Sequence, residues 1–530
     1  MRYFLTPLAL ASSAAVMAQA KMFHWPNRQM EMLDTVFFEQ TAFQTPVSKC
    51  VVRDNSTVAA QWVRMAFHDI ATHNIDDGTG GMDSSVFFEL DRGENAGLAR
   101  AFPDFLGFGS RLISLADLIA AGAIVASLEC NGPVFPYRAG RVDATGQGGG
   151  GAPKPFLNLT DLQESFRRQG FNNAEMIGLT ACGHAFGGVT KKDFPDVMQD
   201  ERQFQFFNNR TTLFDNGIVT QYLEGTTFNP LVVGVNATTN SDIRVFNSDQ
   251  NATVKGLADP AAFTKTCTDL FTRMLNVVPA GVTLTDVIEP WDYKVGEARI
   301  SVANNTDKLS MSTTLRLLNP KDNPRRQVKL VWVDTHGRCS QWSGCSALAS
   351  GSTPITGSTF FQKGFGKTAI QYNFNIKDID PSTSIGKFWF EIDERDGSRP
   401  TEVKNDDGKG YNIAQDDVLF DVTRSTLFTN ADGTNFTSQI VIAVKDNLAG
   451  KAPINVETVD AYTAPLKYDV HEAKLDTRFK KTAGYTFFSL TPPTFRNAAF
   501  DVYYGQVVPQ NLKVQHGQVA EALSKVQSLS

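Results

Sequence analysis

The strongest constraint on the fold is a change in hydrophobic periodicity near residues 279–291. Helical signals dominate before this stretch. After it, apolar and polar residues alternate with a period of two, in short runs separated by Gly, Asn and Asp, which is typical of antiparallel strands. The clearest runs are 327–334, 386–393, 439–445 and 500–504. The sequence therefore predicts a multidomain chain, mainly α-helical over 21–285 and an all-β antiparallel sandwich over 290–530.

The first twenty residues have the features of a secretory signal peptide. Arg2 precedes an apolar stretch from Leu5 to Met17, and Ala18-Gln19-Ala20 forms a small-residue cleavage site before Lys21. We therefore expect 1–20 to be a signal peptide and the protein to be secreted and extracellular; the alternative is an apolar N-terminus without a targeting role. Seven sequons permit glycosylation in that compartment: Asn55, Asn158, Asn209, Asn236, Asn251, Asn304 and Asn435.

Charge and hydropathy limit the partners. A formal net charge of −6 argues against nucleic acid and against an anionic membrane surface. The apolar run Leu112–Leu128 is short for a membrane span and is interrupted by Ser114 and Asp117. We therefore expect this run to form a core helix and expect neither nucleic acid nor membrane as a partner.

Two segments centred on histidines carry the candidate chemistry. If residues 61–69 are helical, Arg64, Phe67 and His68 lie on one face, at i, i+3 and i+4. A guanidinium, an aromatic ring and an imidazole side by side can hold a peroxide, move its proton and stabilise charge as the O–O bond breaks. His184 follows an apolar helical segment and precedes a glycine pair, so it could rise from a helix end to bind iron. Together the segments predict the two sides of a buried haem.

These segments resemble motifs of the plant-type (non-animal) haem peroxidase superfamily. Residues 64–69 match R-x-x-F-H-D and residues 183–187 match G-H-A-F-G. Four further segments resemble family motifs in the same order: 89–98, 132–143, 214–216 and 248–250. Six matches in order over roughly residues 41–278 make coincidence unlikely. The chain is similar to secreted fungal members, with some features of the intracellular class, and the resemblance implies a mainly α-helical haem peroxidase fold holding haem b. The β region lies outside it.

The resemblance implies a role for each residue on the two sides of the haem. On the proximal side, His184 would be the fifth iron ligand and Asp249 would accept its remaining N–H. Phe207 would contact the haem at the place where cytochrome c peroxidase has an oxidisable tryptophan, or Phe206 if the alignment slips by one. The structural alternative for His184 alone is a hydrogen-bonded core histidine.

On the distal side, the resemblance implies that His68 deprotonates hydrogen peroxide and returns the proton to the leaving oxygen. Arg64 would polarise the O–O bond, and Phe67 would mark the distal face as aromatic but hard to oxidise. Asn95 would bond the other nitrogen of His68 and keep its tautomer. The alternative for Asn95 is a turn residue.

The resemblance also implies one calcium ion on the distal side. Asp69, Asp83 and Ser85, with the carbonyl of Gly81, resemble the distal calcium ligands of secreted peroxidases, and hard oxygen ligands on one short loop suit calcium. The loop length is closer to that of intracellular cytochrome c peroxidase, and a solvated acidic loop is the alternative.

The second, proximal calcium site of secreted members is not expected here. Ala185 stands where those members place a hydroxyl, Asn208 where they place an aspartate and Arg210 where they place a threonine. Arg210 could supply positive charge there without a metal, with Asp215 as its expected partner.

The six cysteines fit an exported protein, although sequence does not give their connectivity. Cys339 and Cys345 are close together and are expected to close a small loop. Cys50 and Cys130 stand roughly where secreted fungal peroxidases have a disulfide, so the resemblance pairs them. The remaining two, Cys182 and Cys267, are either paired or buried thiols.

Departures from the family pattern restrict the class of electron donor that we expect the protein to oxidise. Thr57, Gln61 and Thr190 stand where a manganese site would need carboxylates, so the negative charge that holds Mn²⁺ is missing. Leu179 replaces the surface tryptophan of lignin peroxidase, and Asp193 replaces the substrate arginine of ascorbate peroxidase. The resemblance thus implies that hydrogen peroxide oxidises the haem and that small phenolic donors return it in one-electron steps through ferryl intermediates.

Two other functions remain open. The chain could be a secreted carbohydrate- or wall-binding glycoprotein whose β-sandwich is the functional part, since aromatic residues such as Trp342 could contact a carbohydrate. Such residues more often serve core or edge packing. A peroxidase specialised for cytochrome c or ascorbate is disfavoured by the signal peptide, Phe207 and Asp193.

Overall fold

The computed structural model describes residues 24–39, 41–210, 212–304, 306–339, 344–357, 360–413, 415–429, 436–492 and 499–507, with two short strands at 515–518 and 526–528. The predicted signal peptide, Trp342 and Asn435 lie outside these residues.

Helices occupy the first half of the chain, as the sequence predicts. Short 3₁₀ or π segments lie between them, among them Thr35–Glu39 and Gly93–Asn95. The described α-helices are α1 Arg28–Asp34, α2 Thr41–Gln44, α3 Val58–Ile70, α4 Leu115–Glu129, α5 Leu159–Arg168, α6 Asn173–Gly183, α7 Gly217–Glu224, α8 Pro230–Val233, α9 Ser241–Phe246, α10 Ala252–Gly256 and α11 Pro260–Leu275.

Local chemistry starts the helices that position the two histidines. The side chain of Thr57 accepts the N–H of Ala60 and begins α3. A reciprocal capping box between Asn172 and Glu175 begins α6, which ends with His184 as its C-cap. Every residue of α4 is buried, so the run 112–128 does contain the expected core helix, which begins at Leu115. Among the described residues, no helix is both long enough and apolar enough to span a membrane.

Disulfides tie the helical region together. Cys50 pairs with Cys130, which links the segment before α3 to the end of α4. Cys182 pairs with Cys267, which links the end of α6 to α11, so the pairing left open by the sequence is settled. The third bridge joins Cys339 to Cys345 in the β region, as predicted.

Strands form the second half of the chain. Four short strands in the helical region are β1 Val52–Arg53, β2 Ser56–Thr57, β3 Gly188–Thr190 and β4 Phe204–Phe206. The β region contains β5 Tyr293–Val302, β6 Leu309–Leu318, β7 Gln327–Val333, β8 Ser346–Leu348, β9 Gly351–Ile355, β10 Ala369–Ile379, β11 Lys387–Asp393, β12 Thr401–Val403, β13 Tyr411–Asn412, β14 Val418–Phe420, β15 Thr426–Thr429, β16 Phe436–Lys445, β17 Ile454–Asp460, β18 Lys467–Leu475, β19 Tyr485–Leu490, β20 Ala499–Tyr504, β21 Gln515–Gln518 and β22 Val526–Ser528.

The β region is built from three sheets and is mostly antiparallel, so the predicted antiparallel architecture is confirmed. The first sheet has the order β5-β6-β10-β9, and the second has the order β12-β11-β7-β8, with β13 also paired to β11. A nine-stranded sheet follows, in the order β21-β20-β17-β18-β19-β16-β15-β22, with β14 paired to β16. Within it, β15 and β22 are parallel.

The nine-stranded sheet serves two cores, one on each face. On β16, Val441 and Ala443 point into the core formed with the first two sheets. The alternate residues Ile440, Ile442 and Val444 point into a separate core. Residues of β17 and β20, which belong to the same sheet, form the other side of that core. This period-two division is why the run 439–445 is apolar on both faces. The sheet thus curls around its own core in addition to packing in a sandwich.

The N-terminal segment crosses between the two regions. The helix-to-strand change lies between Leu275 and Tyr293, and the predicted division falls inside this stretch. Trp25, however, packs in the β core, with its ring 5.5 Å from Phe388. Its backbone N–H donates to Oδ1 of Asn405 (2.9 Å), whose Nδ2 donates to the Trp25 carbonyl (2.7 Å). Residues before α1 therefore complete the β region.

Buried charges join the regions next to this contact. Arg316 on β6 donates to Asp34 (2.5 Å) and Glu39 (2.6 Å), and Lys294 on β5 lies 2.8 Å and 3.0 Å from the same two carboxylates. Burial alone would raise the pKa of Asp34, but the charges of Arg316 and Lys294 outweigh it and lower that pKa. The carboxylate therefore stays ionised inside the protein.

Candidate active site

Both predicted histidines line one cavity in the helical region. His68 lies on α3 and His184 at the end of α6, and each contributes to the wall of the same space. The space free of protein atoms amounts to about 1560 Å³ with the open mouth included. Arg64 and Phe67 line it beside His68, as the helical spacing predicts.

A hydrogen-bond chain fixes the tautomer of His68. Nδ2 of Asn95 donates to the carbonyl of Glu89 (2.8 Å), so the amide oxygen of Asn95 faces the imidazole. That oxygen lies 2.6 Å from Nδ1 of His68 and can only accept, so Nδ1 carries the proton. Nε2 is then left as an unprotonated base. The predicted contact between Asn95 and His68 is present.

Burial keeps His68 neutral. It lowers the pKa of His68 to about 3, and the nearby charge of Arg64 acts in the same direction, while the bond to Asn95 opposes them. His68 is thus a base that stays unprotonated across the physiological range. This is the state that proton abstraction from a peroxide requires.

Arg64 holds the loop that carries Asn95. Its Nη1 donates to the carbonyl of Ala96 (3.0 Å) and its Nη2 to that of Glu94 (2.7 Å). Its guanidinium carbon also lies 5.2 Å from the ring centre of Phe194. Burial lowers the pKa of Arg64 to about 10, so the group is still a cation at neutral pH. One side chain therefore supplies positive charge near His68 and braces its hydrogen-bond partner.

His184 forms a carboxylate–imidazole pair on the other side of the cavity. Nδ1 of His184 lies 2.8 Å from Oδ2 of Asp242, a buried residue on α9. Asp242 in turn accepts Nδ2 of Asn229 (2.7 Å), which fixes the carboxylate. Because Nδ1 donates to the carboxylate, Nε2 is the nitrogen left with a free lone pair. Such a carboxylate-oriented imidazole is the arrangement that proteins use for metal-ligating histidines.

The predicted partner Asp249 is wrong, and Asp242 takes its place. Asp249 accepts from the backbone and hydroxyl of Thr253 (2.9 and 2.5 Å), within the turn that starts α10. The sequence contains two Ser-Asp pairs seven residues apart, 241–242 and 248–249. Motif matching alone could not choose between them. The signal that separates them is three-dimensional, because the α9 carboxylate of Asp242 lies within hydrogen-bond distance of His184, whereas the described hydrogen bonds of the Asp249 carboxylate go to Thr253.

Phe207, the residue predicted to contact haem, lies beside His184. Its ring stacks on His184, with centroids 4.2 Å apart and planes inclined by 18°. Phe207 also lines the cavity, whereas Phe206 on β4 is absent from the lining. The alignment without slip is therefore the better one. A phenylalanine at this position packs against the imidazole, but unlike a tryptophan it has no N–H group that could donate to Asp242.

The predicted calcium residues lie together, although backbone groups occupy one of them. The carboxylate of Asp69 accepts the N–H groups of Asp83 (3.0 Å), Ser84 (2.8 Å) and Val86 (3.1 Å). Burial raises its pKa well above the usual range, and neighbouring Asp83 adds to the effect. No group of three or more His, Cys, Asp or Glu side chains is arranged for a metal in the part of the chain that the structure describes.

Where the sequence predicts an ion pair in place of a second calcium site, that pair is present. Arg210 lies 2.9 Å from Asp215. Asn208 is buried, with Nδ2 donating to the carbonyl of Ala185 (2.5 Å) and Oδ1 accepting the N–H of Arg210 (2.7 Å). Protein groups therefore hold both the amide of Asn208 and the guanidinium of Arg210.

The residues around the cavity fit a haem. The free Nε2 of His184 would hold the iron, and the lone pair of Nε2 of His68 would provide a base on the other wall. The walls between them are largely apolar, with Val63, Leu179, Phe186 and Val245 among the lining residues. An apolar slot with one oriented imidazole is the setting that haem iron requires.

Sequence comparison gives an independent view of the same region. The sequence profile of a family described as Peroxidase matches residues 44–259. The chain is 30% identical over 171 residues to "L-ascorbate peroxidase 5, peroxisomal" of Arabidopsis thaliana. It is 34% identical over 142 residues to "Cytochrome c peroxidase, mitochondrial" of Neurospora crassa. These matches cover 31% and 25% of this chain.

A longer match extends into the β region. The chain is 34% identical over 382 residues to a "WSC domain-containing protein" of Arthroderma benhamiae, covering 69% of this chain. This alignment is longer than either region, so it spans parts of both. The chain covers 52% of that relative, 58% of the ascorbate peroxidase and 39% of the cytochrome c peroxidase, so it spans about half the length of the relatives it matches.

Proposed function

Because residues 44–259 belong to the peroxidase family, we propose that this chain is a secreted haem peroxidase that reduces hydrogen peroxide and oxidises small phenolic donors. The observation that carries the proposal is the pairing of two oriented imidazoles across one cavity. Asn95 fixes Nδ1 of His68, and Asp242 fixes Nδ1 of His184, so each ring has its other nitrogen free.

In this proposal, each residue of the site has a separate chemical role. Haem held by Nε2 of His184 supplies the two-electron reduction of peroxide and the later one-electron oxidation of donors. His68 takes a proton from hydrogen peroxide at Nε2 and gives it to the departing oxygen, which leaves as water. The cationic Arg64 stabilises negative charge on the oxygens while the O–O bond breaks. Asp242 holds His184 in place and makes it a stronger donor to iron.

The donor and the compartment belong to the same proposal. Thr57, the N-cap of α3, and Thr190 at the end of β3 offer no carboxylate for Mn²⁺. Buried tryptophan and tyrosine side chains, such as Trp62 and Tyr137, are not part of the cavity wall. Donors therefore have to reach the cavity itself, which favours small molecules. The N-terminal signal features and the three disulfides support export.

One distal calcium ion is also proposed. Asp69 and Asp83 are buried, and burial raises the pKa of each, so a divalent cation would offset the desolvation of both carboxylates. Adding Ca²⁺ to chelator-treated holoprotein should raise the thermal midpoint, and Asp83→Asn should abolish the rise. An unchanged midpoint in the unsubstituted protein would show that backbone hydrogen bonds alone close this loop.

The decisive experiment is spectroscopic. Purified chain loaded with haem should show a Soret band that shifts within milliseconds of adding hydrogen peroxide and returns on adding a phenol. Two phenol molecules should be consumed per peroxide. A chain that binds haem without any peroxide-induced shift would refute the proposed activity. The carbohydrate-binding alternative then becomes the hypothesis to test, with the same preparation and soluble glycans.

A further inference from the structure

An ion pair connects the two walls of the cavity at its edge. Arg100 ends a short 3₁₀ turn, Leu98–Arg100, on the loop that also carries Asn95. Asp193 follows β3, downstream of His184. The guanidinium of Arg100 contacts both carboxylate oxygens of Asp193 through Nη1 (3.3 Å to Oδ1) and Nη2. Both residues line the cavity, so a distal segment is tied to a proximal one beside it.

The ion pair between Arg100 and Asp193 lies directly against the backbone of Gly97. Gly97 has a φ of +84°, and a Cβ atom there would lie 2.5 Å from Nη2 of Arg100 and 2.7 Å from Oδ2 of Asp193. The positive φ favours glycine here, and the absence of a side chain lets the two charged groups approach the backbone of this turn. Phe194, next in sequence, contacts Arg64. The side chain of Asp193 is only 10% exposed, compared with 30% for Arg100. The geometry of the pair is thus set by its surroundings.

The other charged side chains near the cavity edge also lie beside groups of opposite charge. Oδ2 of Asp54 lies 3.8 Å from Nε of Arg100, and Lys154 lies 3.6 Å from Glu94. All four residues line the same cavity. Each lysine or arginine at the edge therefore has a carboxylate beside it. At the cavity edge, an anionic molecule therefore meets cations that are already paired, whereas Arg64 lies beside His68 and is bonded to backbone carbonyls.

We propose that Asp193 determines donor specificity: by neutralising Arg100 it removes the cation that would otherwise hold a carboxylate-bearing donor at the cavity edge. The protein then prefers neutral phenols to phenolic acids. Replacing Asp193 by a neutral residue frees Arg100 and creates a site for anions. The inference rests on the proposed peroxidase function and specifies its substrate class.

A pair of donors that share the phenol ring but differ in charge tests this directly. The probes are 4-hydroxycinnamic acid and its methyl ester, with haem-loaded protein, and the quantity is the ratio of kcat/KM for the acid to that for the ester. An unpaired charge at contact distance changes an interaction by at least about fivefold even in a watery setting. Asp193→Asn should therefore raise the ratio at least about fivefold. Arg100→Gln, which leaves Asp193 unpaired, should lower it.

A binding readout and a control complete the design. Benzoate and its neutral analogue benzamide, titrated calorimetrically into holoprotein, should show the same change in ratio without any turnover. In Asp193→Asn, adding Arg100→Gln should remove the gain. Asp200→Asn is the matched control, because it frees the exposed Arg202 away from the cavity wall. Its ratio should stay within about twofold of the unsubstituted protein, well below the fivefold change expected at contact distance.

The possible failures are distinct. If the ester is oxidised normally but both ratios are unchanged in Asp193→Asn, the specificity inference is wrong and the peroxidase proposal stands. If the unsubstituted holoprotein oxidises neither donor, the peroxidase proposal is wrong. The benzoate-to-benzamide ratio then still decides whether Asp193 controls anion binding at this cavity.

Discussion

The helical and β regions both bury charged and polar groups, but those groups do different work. In the helical region, Asn95 and Asp242 each orient an imidazole whose other nitrogen is left free beside a cavity. At the junction with the β region, Arg316 and Lys294 are each paired with carboxylates from the N-terminal segment. The first pattern leaves a ring nitrogen free at the cavity wall. The second pairs each cation with an opposite charge, although Nε of Arg316 donates to no acceptor among the described residues.

The difference shows how a functional site can be told from a structural network of the same composition. Buried ions in the interior are costly unless each is paired, so a structural network closes on itself. A functional site departs from this rule, because the atom that contacts the ligand has no partner within the protein. The predictions below test the two patterns, beginning with the largest expected effect.

Removing the proposed iron ligand should have the largest effect. His184→Ala deletes the free Nε2 that the cavity offers to iron, so the variant should lose stoichiometric haem. The haem-to-protein ratio after gel filtration measures this. His471→Ala, on β18 and outside the cavity, is the control and should retain haem. Full retention by His184→Ala would place the iron ligand elsewhere.

Removing the base should leave haem bound and slow the chemistry. His68→Ala deletes the unprotonated Nε2, so the second-order rate constant with hydrogen peroxide should fall by roughly 10²–10⁴-fold, the usual loss for a general acid–base. Stopped-flow absorbance gives the rate, and an unchanged Soret position before mixing confirms that haem is in place. A rate near that of the unsubstituted protein would contradict the role given to His68.

Breaking the junction should cost stability without changing the cavity. Arg316→Met leaves Asp34 and Glu39 buried with one cation fewer, which should lower the free energy of unfolding by about 3–5 kcal/mol. Denaturant titration measures the change. Lys265→Met breaks the exposed pair with Asp269 and should cost less than about 0.5 kcal/mol. Equal effects in the two variants would show that the junction is not a closed buried network.

The two Ser-Asp pairs should respond differently to the same substitution. Asp242→Asn weakens the acceptor for His184, so haem affinity should fall by about 10–100-fold and the reduction potential of the iron should rise. Asp249→Asn should leave both close to those of the unsubstituted protein, because Asp249 bonds only within its own turn among the described contacts. Spectroelectrochemistry compares the variants. The reverse order of effects would restore Asp249 as the partner.

His68 should become protonated only well below the pH at which histidine side chains usually titrate. With a pKa of about 3, His68 stays a base as the pH falls from 7 to 5, so the rate with peroxide should change little. An imidazole of ordinary pKa would lose about 25-fold over this range. Arg64→Leu removes a charge that lowers this pKa, so its rate should begin to fall at a higher pH. A steep fall in the unsubstituted protein between pH 7 and 5 would contradict the assignment.

The same pKa predicts how stability depends on pH. Between pH 6.5 and about 3, the unfolded chain binds a proton at His68 that the folded chain does not. The contribution of His68 therefore destabilises the folded state progressively as the pH falls through this window. His68→Gln should show a weaker loss of stability over the same range in denaturant titrations.

The contact of Asn95 with His68 joins residues 27 positions apart and was predicted from the resemblance to known peroxidases. The sequence by itself determined the helix-to-strand order and the residues on one face of α3. These depend on local spacing: side chains three or four apart share a helix face, and period-two alternation specifies strands. Cys339 and Cys345 are six residues apart, so their pairing also followed from proximity. The Arg210–Asp215 pair is similarly local.

Only the tertiary structure decided which Ser-Asp pair meets His184, where Trp25 packs, and which partner neutralises Arg100. Each of these contacts joins residues that are 58 to 380 positions apart. Two copies of the same dipeptide have the same local chemistry, so the sequence offers no basis for choosing between 241–242 and 248–249. The choice is made when α9 packs against the end of α6, because a hydrogen bond to Nδ1 requires a carboxylate within about 3 Å.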